Sequence, residues 1–158
     1  MPDPECDHSE IAVEIDAKPD LLGILRDTIE FWSRRRSLTD DRAHELAMAV
    51  DEAASNIVRH AYQEKPGGRI RMRCRAARAG EGIDLTIVLE DDGTQVPLDL
   101  IKSRNLDDVR PGGLGVHLIQ QATDEVTWQH RPEGGTLLTM RVHIPARTLT
   151  LENAADGH

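Results

Sequence analysis

The sequence predicts an α+β two-layer sandwich, in which a mixed, mainly antiparallel sheet of about five strands is covered on one face by about three helices. Three observations lead there. Short segments near the start, middle and end of the chain alternate apolar and polar residues, as half-buried strands do. Two longer segments repeat their apolar residues with helical spacing. Glycine-containing turns join consecutive alternating segments in pairs, which is the pattern of hairpins.

Taken in order, Ile11, Val13 and Ile15 fall on one side of a first strand. From Pro19 to Arg36, Leu21, Leu25, Thr28 and Trp32 form a stripe on a first helix, with Pro19 suited to its opening turn. Thr39 is placed to cap a second helix whose first turn holds Asp40 and Asp41 at the positive end of the helix dipole. That helix is expected to run to about Tyr62, with Leu46, Val50, Ala53, Ile57 and Ala61 inward, until KPGG stops it. In RIRMRCR, Arg69, Arg71, Arg73 and Arg75 share one face, and Ile70, Met72 and Cys74 the other. A turn at AGEG leads to Ile83, Leu85, Ile87 and Leu89, completing a hairpin. Residues 94–111 read as a polar connection with one helical turn near Leu98 to Ser103. A short helix begins at the following glycines and ends near Ala122. Val126, Trp128 and His130, the turn RPEGG, and Leu138, Met140, Val142 and Ile144 make a second hairpin. The division expected is a flexible start over 1–8, one domain over 9–145 and a disordered tail over 146–158.

Composition narrows the function. The chain has 158 residues and only 3% aromatic content, so aliphatic side chains must fill a single core. A net charge of -9 and a pI near 5.2 disfavour direct contact with nucleic acid or an anionic membrane. The arginine face of RIRMRCR is read as guarding an edge strand against sheet-to-sheet pairing. Cys6 and Cys74 lack metal-ligand spacing and form no disulfide framework, the histidines show no zinc pattern, and no export or spanning segment is visible; a cytoplasmic location is expected.

Three segments carry chemistry. On the second helix, Glu52, Asn56 and His60 stand one turn apart beside the apolar stripe. An amide oxygen there suits Mg²⁺ and a carboxylate suits proton abstraction, although a solvated polar flank that includes Arg59 would look the same. LEDDG ends the third strand; Asp91 can accept a hydrogen bond from a ligand amine while Gly93 permits close approach, or the segment is an ordinary turn. In RPGGLGVHLI, Gly112, Gly113 and Gly115 precede an apolar helix whose N–H groups could hold phosphate oxygens, with Arg110 for the terminal phosphate; a glycine-rich helix start without a ligand is the alternative.

In order and character these segments resemble the GHKL ATPase superfamily, with its histidine-kinase-like (Bergerat) ATP-binding fold, and within it the anti-sigma-factor serine/threonine-protein kinases of bacterial partner-switching systems. The resemblance covers nearly the whole chain. Glu52, Asn56, His60, Ala61 and Tyr62 match the family's first motif, which implies Asn56 as Mg²⁺ ligand, Glu52 as catalytic base and His60 beside the nucleotide. Asp91 and Gly93 match the second, implying that Asp91 binds the adenine amine; Val96 and Pro97 stand where relatives often carry Phe and Pro. Gly113, Leu114, Gly115 and Val116 match the glycine box behind a short ATP lid, and Thr136 matches a last-strand contact near adenine. The resemblance implies ATP and ADP as ligands with Mg²⁺, an anti-anti-sigma (STAS-type) protein and a sigma factor as partners, and a homodimer. The function so implied is phosphorylation of the anti-anti-sigma partner and sequestration of the sigma factor. The alternative is a nucleotide-gated binding protein without turnover.

Overall fold

The computed structural model describes residues 10–98 and 113–146. The elements are β1 (Ile11–Asp16), a 3-10 turn at Pro19–Leu21, α1 (Leu22–Arg35), α2 (Asp40–Asn56), a π-helical turn at Ile57–Ala61, β2 (Arg69–Ala79), β3 (Gly82–Asp91), α3 (Gly113–Ala122), β4 (Glu125–His130) and β5 (Thr136–Ile144). The strands form one sheet in the order β1-β2-β3-β5-β4, and every pairing is antiparallel, a simpler arrangement than the mixed sheet expected. Among the described residues no helix is long and apolar enough to cross a membrane.

Register decides which side chains reach the core. Ile15 pairs with Ile70, Val13 with Met72, Cys74 with Ile87, and Ile87 with Met140, so the apolar halves of adjacent strands share one face. The helical layer packs there, with α2 between α1 and α3. The inward row of β3 runs Ile83, Leu85, Ile87, Leu89 and then Asp91, so a carboxylate takes the fifth position of an otherwise apolar row.

Helix α2 forms as its sequence directs. The Thr39 hydroxyl accepts from the Arg42 N–H at 3.3 Å, and the expected stripe of Leu46, Val50, Ala53, Ile57 and Ala61 is buried, joined by small alanines that let α1 and α3 approach closely. Its end differs from expectation. The last turn widens to π geometry, Tyr62 N–H donates to Ile57 O and Glu64 N–H to Val58 O, and Gln63 and Glu64 take left-handed φ values of 52° and 59°. The helix therefore stops on these two residues, ahead of KPGG.

Two further expectations need correcting. The buried face of α1 is Leu22, Leu25, Ile29 and Trp32, with Leu21 and Thr28 only partly covered; Thr28 instead turns its hydroxyl back to Ile24 O at 2.6 Å. Strand β2 is not an edge strand, because β1 pairs along it. Its arginines sit on the open face of the sheet among acids of neighbouring strands. Arg69 reaches Glu14 at 2.9 Å and Asp16 at 2.8 Å, and Arg71 grips Asp92 at 2.8 and 2.7 Å. Cys74 points the other way into the core, where burial, aided by the Glu10 charge, pushes its thiol up to about 12.

Leu46 is fully buried where α2 meets the sheet. Leu46→Ala is expected to lower unfolding free energy by about 2–5 kcal/mol, measured by urea denaturation, through lost contacts and the cavity left behind.

Candidate functional site

A cavity of about 220 Å³ opens between α2, α3 and the sheet where β3 ends. Ala53, Ile57 and Ala61 line it from the α2 side, Val116 and Ile119 from α3, and Leu89, Leu138 and Trp128 from the sheet. Val96 closes one side, and its carbonyl accepts from His130 Nε2 at 2.7 Å. The polar lining comes from Asn56, His60, Asp91 and Thr136. Apolar walls with a few convergent polar groups suit a flat heterocycle, and the volume lies below the roughly 300–1,000 Å³ of sites that enclose a whole drug-sized ligand.

Asp91 is the buried charge of this cavity, only 2% exposed. Desolvation raises its pKa above the ordinary carboxylate value, opposed by hydrogen bonds from the backbone N–H groups of Gly93 and Thr136. The Gly93 N–H lies 2.9 Å from Oδ1. Gly93 has to be glycine for a steric reason: a Cβ there would stand 2.5 Å from the Ala61 carbonyl oxygen, and that same oxygen accepts from Thr94 N–H at 2.7 Å. The end of α2 and the end of β3 are thereby joined backbone to backbone.

Two side chains hold this junction: Tyr62, which the first motif contains without a stated task, and Arg131, which lies outside all three motifs. The Tyr62 hydroxyl donates to Arg69 O at 2.7 Å and accepts from Asp92 N–H at 2.8 Å, while its ring lies so close to Gly68 that a Cβ there would come within 2.6 Å. Arg131, from the β4–β5 turn, donates to Asp91 O at 2.9 Å and Asp92 Oδ1 at 2.6 Å, and pairs with Glu90 at 2.7 Å. Asp92, held by Arg71 and Arg131, is kept well below the usual carboxylate range. Gly135, at φ 80°, passes so near Asp91 that any Cβ would overlap the Asp91 carbonyl oxygen. The turn can then present the Thr136 N–H to the carboxylate. Arg131 opens the RPEGG turn, but nothing local links it to the acidic LEDD; only the β3–β5 pairing brings the two together.

Asn56 lines the cavity and Glu52 stands one turn earlier on the same flank of α2, as the helical spacing predicts, but Arg59 is no mere solvated neighbour. One guanidinium nitrogen of Arg59, Nη2, donates to Asn56 Oδ1 at 2.9 Å and to Glu52 Oε1 at 3.2 Å. Two hard oxygens thus converge on one cationic atom, the donor chemistry that Mg²⁺ takes when most of its shell is water or phosphate. Among the described residues no group of three or more His, Cys, Asp or Glu could hold a metal, so any ion here would depend on ligand oxygens as well. Gly113, Leu114 and Gly115 form the first turn of α3, and Val116 follows in the cavity wall. Arg110, Gly112 and most of the 94–111 connection, including the helical turn expected near Leu98 to Ser103, lie outside the described residues, as do 1–8 and nearly all of the tail.

Comparison with known proteins identifies the family and the fold. The sequence profile of the histidine kinase-like ATPase domain matches residues 15–142. Over 129 residues the chain is 31% identical to the serine-protein kinase RsbW of Bacillus subtilis, covering 76% of this chain and 78% of the relative. Over 156 residues it is 30% identical to serine-protein kinase RsbW of Halalkalibacterium halodurans, covering 93% and 90%. Among solved structures, the histidine kinase domain of the Erythrobacter litoralis EL346 blue-light-activated histidine kinase shares the fold, with a TM-score of 0.50 at 21% identity, over 81% of this chain and 61% of that one.

The Asp91 environment makes a signed prediction. Because its folded pKa is raised, folding favours the protonated acid. The ionised form then costs stability above the raised pKa, and the cost is relieved as pH falls through that value toward the unfolded one near 3.8. Relative to Asp91→Asn, which has no charge to relieve, the wild-type protein should gain stability from pH 7 to pH 4. Urea unfolding of both proteins across that range would read it; a constant difference would show that Asp91 is not desolvated.

Proposed function

The chain belongs to the histidine kinase-like ATPase family, and from that premise we propose that it is an ATP- and Mg²⁺-dependent serine/threonine-protein kinase. Its substrate would be an anti-anti-sigma (STAS-type) protein, and it would sequester a sigma factor as a cytoplasmic homodimer. The observation that carries the reading is the buried Asp91 carboxylate in an apolar cavity that Asn56 also lines, with Glu52 beside Asn56 on the same flank of α2. Serine-protein kinase is also what the two RsbW relatives are named.

Each residue then has a task. Asp91 accepts from the exocyclic amine of adenine, steadied by Gly93 and Thr136, while Trp128, Val96 and Leu138 pack against the base. His60 lines the same cavity. The N–H groups of Gly113, Leu114, Gly115 and Val116 are in the first turn of α3, where the helix dipole favours phosphate, with Gly112 and Arg110 just ahead in sequence. Asn56 would hold the Mg²⁺, which when bound neutralises phosphate charge. Glu52 takes the proton from the partner's serine or threonine hydroxyl as that oxygen bonds to the γ-phosphorus; the bond to the bridging oxygen breaks and ADP leaves. This needs positioning and charge stabilisation more than covalent chemistry by the protein.

The second reading, a nucleotide-gated binding protein without turnover, draws on one observation: Arg59 already occupies both oxygens that transfer would use. Glu52→Ala separates the two. With labelled ATP and a STAS-type partner that the wild-type protein engages, transfer should fall at least 100-fold, as for loss of a general base, while nucleotide affinity stays within about twofold. If the wild-type protein binds nucleotide and partner but no label moves, the kinase reading fails. Binding itself has a built-in reporter, since of the two tryptophans Trp128 lines the cavity and Trp32 is on the buried face of α1, donating to Glu10 Oε2 at 3.0 Å. In a Trp32→Phe background, ATP should change the remaining fluorescence saturably, and an unchanged spectrum at millimolar ATP would count against the base lying in this cavity.

A further inference from the structure

We propose that Arg59 is an internal counter-cation that competes with the divalent metal for Asn56 and Glu52, setting how much metal the site needs before it takes up nucleotide tightly. The inference rests on the reading of Asn56 as metal ligand given above.

The geometry follows from helical spacing. Arg59 lies three residues after Asn56 and seven after Glu52, so all three side chains share one flank of α2 as it enters the π-helical turn. A single nitrogen, Nη2, serves both acceptors, at 2.9 and 3.2 Å. The Asn56 oxygen has a second lone pair, but a guanidinium seated between it and Glu52 puts positive charge where the divalent cation would stand, so the two compete for the same place. Whatever stabilises the bridged arrangement is therefore subtracted from metal affinity, because an interaction made only in the metal-free state shifts the equilibrium toward it. Arg59 is exposed, with 40% of its side chain accessible, and Glu52 is 27% accessible, so the bridge is partly screened and can be displaced at modest cost. A guanidinium cannot give up its charge to make way, so it has to swing aside. Magnesium concentration thereby becomes a control on the resting site, separate from nucleotide concentration.

The test uses the full chain and a non-hydrolysable ATP analogue, with calorimetry at a series of Mg²⁺ concentrations to find the half-saturating metal for tight analogue binding. Arg59→Gln removes the positive charge while keeping a polar side chain at an exposed position where folding should be unaffected. It should lower half-saturating Mg²⁺ about three- to tenfold, the range for losing a partly screened charged hydrogen bond. Arg59→Lys, which keeps the charge but not the planar fork, should fall between. The proposal is overturned if Arg59→Gln leaves half-saturation unchanged while Asn56→Ala abolishes the metal dependence. If Asn56→Ala instead titrates like wild type, the metal-ligand reading of Asn56 is what fails, and the competition falls with it.

Discussion

The site depends on one constraint: a carboxylate placed where the fold calls for an apolar side chain. Asp91 ends the inward row of β3, is almost completely desolvated, and is kept there by two backbone N–H donors from different parts of the chain. An ionised group so placed is destabilising unless it is hydrogen-bonded, and the surrounding structure is arranged to supply those bonds. Gly93 is pressed against the end of α2 and Gly135 against Asp91 itself. Arg131 and Tyr62 clamp the backbone on either side. What results is a rigid acceptor aimed into an apolar cavity, which is the form that recognition of an amine on a heterocycle requires.

The same constraint accounts for the unusual end of α2. The helix that carries Glu52, Asn56 and His60 continues into the turn whose Ala61 carbonyl receives Thr94, so it has to close against the β3 end as well as present its polar flank. A π-helical turn and two left-handed residues accomplish that over a few positions, and such local departures concentrate at functional sites. The polar flank of α2 and the Asp91 end of β3 are thus mechanically one unit.

Much of this could be read from the sequence because it is written in local periodicity. The alternation of β2, β3 and β5 and the stripe on α2 specify the strands, the buried face and the order of the three motifs. Asp91 itself was visible as the carboxylate of LEDDG, at a strand end just ahead of Gly93. What could not be read depends on contacts between distant segments. The α1 stripe slipped because Thr28 and Ile29 both fit a helical spacing, and only packing chooses the isoleucine. The arginines of β2 seemed to guard an edge because nothing local announces that β1 pairs there. Arg131 and Trp128 joined the site only through the β3–β5 and β4–β5 registers. Arg59 was noticed, yet spacing alone cannot tell a solvated arginine from one bridging two site oxygens.

The most direct test of the central claim compares nucleotides that differ at the group Asp91 is thought to meet. At neutral pH, calorimetric titration of the intact protein with ATP and with inosine triphosphate, which carries a carbonyl in place of the amine, should show the inosine form binding weaker by about tenfold or more, since it leaves a buried carboxylate facing a carbonyl. Equal affinity for the two would contradict the account, because the base would then be held without reference to the charge around which this end of the fold is built.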